Sequence, residues 1–310
     1  MAMLSRVAEN LYWLARYLER AENTARLVNV SVSLVLDLPK HARPCWSSLI
    51  AITGNEEIFN RLYDDTTEAR VVKFMLADEN NPGSILSSIR YARENARTIR
   101  DIIPREAWEQ INDLYLKAKV QLTNGHTPKT RHSLLKDIVL GVQQIAGIFD
   151  GCMSHDAGYL FMQLGCKLER ADMVTRILDV RAAGSSQDPD ALKPFENILW
   201  MSVLRSLSAY QMYRRHKQVA VRREEVLQYL LQDGEFPRAF YAALCRLGDC
   251  LRRLPNHQAP LAVVRSLKQI IEQTHPETFE QAEFMQFVDE LQIDLGKLNE
   301  SIGATYFGLA

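Results

Sequence analysis

Apolar residues recur at spacings of three and four along most of the chain, and no stretch alternates apolar and polar residues as a half-buried strand does. That period predicts helices with little or no sheet, so we expect an all-α, multi-helix bundle. The first helix is expected over residues 4–36. Its apolar stripe contains Val7, Leu11, Leu14, Leu18, Ala21, Ala25, Val28, Val32 and Val35.

Proline, glycine and asparagine mark the expected breaks between the later helices. Asn81-Pro82 is expected to open a helix, and residues 123–128 are expected to form a turn. A long helical region is predicted over 131–183, with a break near 151–158. The best candidate for a linker is 184–189. Further helices are expected at 194–216, 223–231, 237–253, 260–274 and 277–302.

A segment near the start of the chain recurs 150 residues later. Residues 14–30 read LARYLERAENTARLVNV, and residues 164–180 read LGCKLERADMVTRILDV. Seven of the seventeen positions are identical, whereas a random alignment gives about one identity. We interpret this as an internal duplication of an L-x-x-x-L-E-R-A-[ED] helix. The duplication lies within a single domain, residues 1–310, with repeat halves of about 1–127 and 128–310.

The repeat places charge beside its apolar stripe. On a helical wheel of about 100° per residue, two acids and one arginine of each copy lie on the same flank of that stripe. The second acid precedes the arginine by four residues, which is the order that stabilises a helix. The residues are Glu19, Glu22 and Arg26 in the first copy and Glu169, Asp172 and Arg176 in the second.

This pattern resembles the bacterial alpha-E domain family over essentially the full chain. The resemblance is carried by residues 6–22 (RVAENLYWLARYLERAE), 93–97 (RENAR) and 164–172 (LGCKLERAD), with 236–238 (FPR) as a further element. It implies a stand-alone cytoplasmic bacterial protein. Relatives are typically encoded beside a circularly permuted ATP-grasp ligase, and often beside a transglutaminase-like protein. The resemblance therefore implies these two proteins as partners in ATP-dependent peptide or amide-bond synthesis.

Composition narrows the classes of protein that fit. Lys and Arg number 37 against 38 Asp and Glu, so the chain lacks the basic excess of a nucleic-acid binder. Charge interrupts every apolar segment before it reaches a bilayer-spanning length, and no membrane span is expected. Five cysteines form no C-x-x-C pair, which favours a reduced, cytoplasmic protein. A homo-oligomer stays an open alternative.

The acids of the repeat admit two interpretations. Four carboxylates at helical spacing can hold a divalent metal or a cationic amine. We favour structural ion pairs, because a buried charge requires a partner. No cofactor is assigned, since a di-iron bundle needs two Glu-x-x-His motifs and only residues 272–275 have that spacing. We expect buried acids, two closely packed repeat helices, and pairing to Arg16, Arg20, Arg26, Arg170 and Arg176.

Two further groups of candidates lie outside the repeat. Arg93 and Arg97 belong to an arginine ladder over residues 90–100, which suits phosphate or carboxylate. The alternative, which we favour, is pairing with acids of the same helix and with the repeat's acids across the bundle. His155 and Asp156 lie at the break in the long helical region. Asp156 is interpreted more simply as the N-cap of the following helix.

Three functions fit the sequence. The first, which we favour, is an accessory or substrate-presenting partner of an ATP-grasp ligase. The second is an enzyme whose Glu/Asp/Arg centre acts on a peptide-like metabolite, with or without a metal. The third is a purely structural helical interaction protein. The chain contains no glycine-rich phosphate loop and no zinc-ligand spacing.

Overall fold

Helices account for nearly all of the described backbone. The computed structural model describes residues 5–39, 43, 45–123, 128–183, 193–217 and 220–308, and no strand occurs within them. The α-helices are α1 (Ser5–Asp37), α2 (Ser47–Thr53), α3 (Glu56–Leu62), α4 (Glu68–Leu76), α5 (Ile85–Thr98), α6 (Arg105–Thr123), α7 (Pro128–Cys152), α8 (Ala157–Ala183), α9 (Glu196–Ser206), α10 (Tyr210–Lys217), α11 (Arg223–Gln232), α12 (Phe240–Arg252), α13 (Gln258–Gln273) and α14 (Gln281–Tyr306). The predicted all-α, multi-helix fold is confirmed.

The two helices that carry the repeat, α1 and α8, pack directly against each other as predicted. α1 also contacts α5, α7 and α9, while α8 also contacts α12 and α14. The remaining long helices extend these layers, because α6 packs on both α5 and α7, and α13 packs on both α12 and α14. The two repeat helices therefore contact helices from both the early and the late part of the chain.

The apolar stripe of α1 lies in the main hydrophobic core. Leu11 and Leu14 have no exposed surface, and the cluster that contains them runs from Ala8 to Phe307 along the chain. A small second cluster consists of Leu34, Leu38 and Leu199. Since the main cluster takes side chains from both sides of residue 127, the proposed repeat halves share one core. The duplication itself stays a prediction from the sequence.

The helix expected to open at Asn81-Pro82 begins later, at Ile85. Its N-cap is Ser84, whose Oγ accepts a hydrogen bond from the backbone N–H of Ser87 over 3.2 Å. Asn81 is instead fully buried in the preceding turn. Its Nδ2 donates to the Phe74 carbonyl at 3.0 Å. The asparagine therefore satisfies the end of α4, and the expected cap assignment was wrong by three residues.

The single helix predicted at 194–216 is interrupted. Ser208 has a positive φ of 57°, and the backbone N–H of Ala209 donates to the Leu204 carbonyl over 2.7 Å. This backbone conformation and this hydrogen bond separate α9 from α10. No glycine or proline occurs at the break, so the sequence did not predict it. The expected turn at 123–128 and the expected linker at 184–189 fall largely or wholly outside the described residues.

The crossing of α1 and α8 depends on a glycine. A Cβ added at Gly165 would lie 2.1 Å from the carbonyl oxygen of Tyr12 and 3.0 Å from its carbonyl carbon. Both atoms belong to backbone, which cannot move aside as a flexible side chain does. The small residue of the second repeat therefore serves the close approach of two helices. Its counterpart, Ala15, lies at the edge of a cavity described below.

We predict that Gly165→Ala destabilises the protein, although alanine is the better helix former. The added methyl group must push α1 and α8 apart and loosen their shared core. The matched control is Gly147→Ala on α7, where an added Cβ meets nothing within 4 Å. That control should raise stability by up to about 1 kcal/mol. Urea denaturation of both variants measures the difference, and equal gains in stability would contradict the close approach.

Candidate functional site

The arginine of each Glu-Arg dipeptide pairs with the glutamate of the other. Arg20 on α1 forms a bidentate ion pair with Glu169 on α8, with Nε 2.5 Å from Oε1 and Nη2 3.0 Å from Oε2. In return, Arg170 on α8 places its Nε 2.9 Å from Oε1 of Glu19 on α1. These two crossed ion pairs join the helices at their contact. The two copies of the repeat therefore contribute equivalent residues, since the arginine of each copy pairs with the glutamate of the other.

The two ends of this arrangement differ at one position. Arg16 brings a second guanidinium group to Glu169, with Nε 2.7 Å from Oε2. The matching position of the second copy is Cys166, whose thiol donates to Glu19 Oε2 over 3.2 Å. Arg238, from outside both copies, supplies the second guanidinium there and places Nη1 2.9 Å from Glu19 Oε1. Each central glutamate therefore contacts two arginines.

A short turn before α12 positions Arg238. The Asp233 side chain accepts the backbone N–H of Phe236 over 2.6 Å, and the Phe236 ring stacks on Tyr229 with centroids 5.2 Å apart. The turn directs Arg238 towards α1, where its Nη1 also donates to Asn23 Oδ1 over 3.0 Å. The turn between α11 and α12 is thereby attached to the centre of the bundle.

Glu22 completes the first side of the network. Its Oε1 accepts from Arg26 Nη2 at 2.8 Å, from Arg238 Nη2 at 2.6 Å and from Gln143 Nε2 at 3.3 Å. All three donors use the same carboxylate oxygen. Glu22 thus resembles the other two glutamates in contacting two guanidinium groups.

The second copy of the i,i+4 pair is also formed, since Arg176 Nε donates to Asp172 Oδ2 over 2.8 Å. The Asp172 side chain is 17% exposed, whereas the side chains of the three glutamates are at most 4% exposed. The expectation of buried, paired acids is therefore confirmed for the glutamates. Asp172 is paired but only partly buried.

Burial and charge oppose each other at the two central glutamates. Burial raises the pKa of Glu19, but the guanidinium groups of Arg170 and Arg238 outweigh it and lower that pKa to about 2. Arg20 and Arg16 likewise overcome the effect of burial on Glu169 and lower its pKa to about 2. Both acids are therefore ionised at neutral pH and are weak bases.

A cavity of about 290 Å³ adjoins the network between α1, α7 and α8. Two acids and two arginines line it, Glu19 and Glu22 facing Arg170 and Arg238. The Cys166 thiol lines the same space. Burial raises the pKa of this thiol, so it stays protonated at neutral pH, and a thiolate nucleophile is disfavoured.

The arginine ladder of α5 lies away from this network. Arg93 Nε donates to Asn112 on α6 over 2.7 Å, and its Nη1 donates to Glu94 over 2.8 Å. Arg97, which is largely exposed, pairs with the same Glu94 at 2.7 Å. The expectation that Arg93 and Arg97 also pair with the repeat's acids was wrong. The acids already have nearer partners, and Arg93 is held by the Tyr115 ring, 5.1 Å away.

The weaker candidates at the α7–α8 break have structural partners. Asp156 Oδ1 accepts the backbone N–H of Gly158 over 2.9 Å, which is the N-cap interaction expected for α8. The exposed His155 ring stacks on Tyr159 with centroids 3.9 Å apart. Its Nε2 lies 3.0 Å from the Asp150 carbonyl oxygen. The two residues thus shape the turn at the start of α8.

Within the described ranges, no three His, Cys, Asp or Glu side chains are grouped so that they could share a metal ion. In the same part of the chain, no helix combines the length and apolar character needed to cross a membrane.

Sequence reasoning missed several members of the network. Asn299 on α14 accepts from Tyr12 Oη at 2.7 Å and from Arg16 Nη1 at 2.8 Å, and it is 283 residues from Arg16. Its position carries no sequence signal because the contact exists only in the fold. Arg238 had a signal in its Phe-Pro-Arg motif, but not one that named its acidic partners. Cys166 could have been found as the counterpart of Arg16 in the repeat.

The fold and this network together define an all-helical protein built around two crossed Glu-Arg dipeptides. The chain belongs to the Alpha-E family, whose model matches residues 3–307 and is described as a predicted alpha-helical domain with a conserved ER motif. This chain contains Glu-Arg at residues 19–20 and at residues 169–170, the two positions that exchange partners.

Proteins of two mycobacteria are similar over nearly the whole chain. Uncharacterized proteins of Mycobacterium bovis and Mycobacterium tuberculosis are each 26% identical over 327 aligned residues, which cover 97% of this chain and 35% of the relative. A protein of another M. tuberculosis strain is 25% identical over the same span. The chain thus spans about a third of the length of these curated relatives. No solved structure matches it significantly.

We predict that Glu19→Ala lowers the free energy of unfolding by about 3–5 kcal/mol, because it strands the buried guanidinium of Arg170. Urea denaturation followed by circular dichroism measures the loss. The matched control is Asp113→Ala, which breaks an exposed i,i+4 pair with Lys117 and should change stability little. Unchanged stability in Glu19→Ala would contradict a structural role for the network.

Proposed function

We propose that this protein is a non-catalytic partner of an ATP-grasp ligase in peptide or amide-bond biosynthesis. In that role it contributes binding surface or presents an amine or acyl substrate to the ligase. The partner class comes from the family resemblance, which also suggests a transglutaminase-like protein as a second partner. We place this activity in the cytoplasm, in keeping with five free cysteines.

The observation that carries the proposal is the saturation of the buried acids. Each of Glu19, Glu22 and Glu169 contacts two arginines. A general base must be able to take up a proton near neutral pH, whereas arginine holds the pKa of Glu19 and of Glu169 far below that range. The network is therefore suited to stability and shape more than to proton transfer.

A second candidate function is an enzyme that uses Glu22. The observation that favours it is the cavity of about 290 Å³ that this carboxylate lines. The three donors to Glu22 all contact Oε1, so the carboxylate retains a second oxygen for a substrate. A peptide-like amine is the ligand class that would suit this oxygen. We rank this candidate second because Arg238 and Arg170 neutralise the two acids of the cavity.

The two candidates differ in what the isolated protein does with ATP, Mg²⁺ and amino acids. As an accessory protein, it should release no ADP alone, and it should raise amino-acid-dependent ADP release when the circularly permuted ATP-grasp protein is added. Co-elution of the two proteins on size exclusion should accompany this gain.

Turnover by the isolated protein, abolished by Glu22→Gln, would overturn the accessory proposal and favour the enzyme. Glutamine keeps an acceptor oxygen and the side-chain volume but removes the charge. The control variant is Asp113→Asn, which lies on the exposed face of α6. Circular dichroism of both variants shows whether lost turnover reflects unfolding.

A further inference from the structure

A second cavity is lined mainly by apolar side chains, together with four serines and two arginines. It has a volume of about 90 Å³ and lies among α1, α2, α8 and α9. Leu34, Ile177 and Leu199 are representative of its apolar wall. Among the described residues, the charged ones that line it are Arg43 and Arg181, and none of the lining residues is a carboxylate. This cavity takes no part in the Glu-Arg network.

Arg181 differs from the arginines of that network in its lack of a paired acid. Its Nε is buried and has no hydrogen-bond partner, and among the described residues no carboxylate forms an ion pair with it. Its guanidinium group lies over the Trp200 ring, 5.2 Å from the ring centroid. A cation–π contact of this kind orients the group but does not neutralise its charge.

Glu196, whose charge raises the pKa of Arg181, does not serve as an ion-pair partner either. Glu196 accepts a hydrogen bond from Trp200 Nε1 over 3.3 Å and forms no ion pair with Arg181 within the described part of the chain. Burial lowers the pKa of Arg181, Glu196 offsets this in part, and Arg223 lowers it further. Arginine nevertheless stays protonated at neutral pH. Within the described part of the chain, the cavity therefore presents a cation that has no ion-pair partner and lies among mostly apolar side chains.

We propose that this cavity binds a carboxylate carried on a short apolar chain. The carboxylate pairs with Arg181, for which a planar, two-oxygen anion is the natural complement. The apolar chain packs against Leu34, Ile177 and Leu199. The volume is smaller than the 150 Å³ of an engineered cavity known to hold benzene, so a short branched chain fits better than a long acyl chain. The inference does not depend on the proposed function.

Two sources share this chemistry: a small free acid and the C-terminal residue of a peptide. Isothermal titration calorimetry distinguishes them with two probes, 3-methylbutanoate and N-acetyl-leucine. Tighter binding of N-acetyl-leucine would assign the site to a peptide end, and tighter binding of 3-methylbutanoate would assign it to a free acid. Acetate should bind more weakly than either, because it lacks the apolar chain.

The role of charge is tested on the unmodified protein first. The amides of both probes should bind at least about tenfold more weakly than the acids, since a hydrogen bond to a charged group is the stronger one. Arg181→Gln should weaken acid binding by a similar factor. The matched control is Arg205→Gln on α9, because Arg205 does not line this cavity and should leave binding unchanged.

Three binding results would overturn the proposal. They are equal affinity for acid and amide, unaltered acid binding in Arg181→Gln, and no binding of either acid at millimolar concentration. Thermal unfolding without ligand gives a separate readout. Arg181→Gln should unfold at the same or a higher temperature than the unmodified protein, because it removes a partly buried charge that has no ion-pair partner among the described residues. A marked fall in Tm would show that the fold itself satisfies Arg181, which would also overturn the proposal.

Discussion

The two crossed ion pairs between α1 and α8 are the constraint on which the rest of the bundle depends. Each pair joins an arginine of one helix to a glutamate of the other, so neither helix pairs the charges of its own Glu-Arg dipeptide by itself. Gly165 lets the backbones meet closely enough for these pairs to form. Arg238 and Asn299 then connect the later helices to the same centre.

Much of this arrangement could be read from the sequence because its signals are local. Helical periodicity predicted the fold, and the recurrence of L-x-x-x-L-E-R-A identified the two helices that pack together. The position of Glu19 and Glu169 beside an apolar stripe predicted burial with arginine partners. The wheel could do this because one helix fixes which of its own residues share a face.

The remainder depends on contacts that only the folded chain creates. Arg238 meets Glu19 across 219 residues of sequence, and nothing in its local pattern specifies that partner. The predicted pairing of Arg93 and Arg97 with the acids of the repeat was wrong, because the charge of a side chain does not show how far it lies from an opposite charge in the fold. The break between α9 and α10 at Ser208 follows from a positive φ, and no glycine at that position indicated it in the sequence. Tertiary packing decided each of these cases.

The arginines of the network and Arg181 differ in what surrounds their guanidinium groups. In the network, five arginines contact three glutamates, and every guanidinium group has a carboxylate partner. At Arg181 the charge is held by an aromatic ring and apolar walls, a feature expected where a protein gives up stability for binding. The central claim concerns the first kind, because it explains why α1 and α8 are packed as they are.

A double-mutant cycle on Arg20→Met and Glu169→Leu tests that claim most directly. If the crossed pair is a structural clamp, Glu169→Leu should lower the free energy of unfolding by about 3–5 kcal/mol, because it leaves Arg16 and Arg20 without their shared carboxylate. Arg20→Met should lower it by less, because Arg16 still contacts Glu169. The double variant should lose less stability than the sum of the two single losses, because it removes both charges of this pair while only Arg16 stays without its carboxylate, and the coupling energy should exceed about 1 kcal/mol. Single losses that simply add, with no coupling between the two positions, would contradict the account.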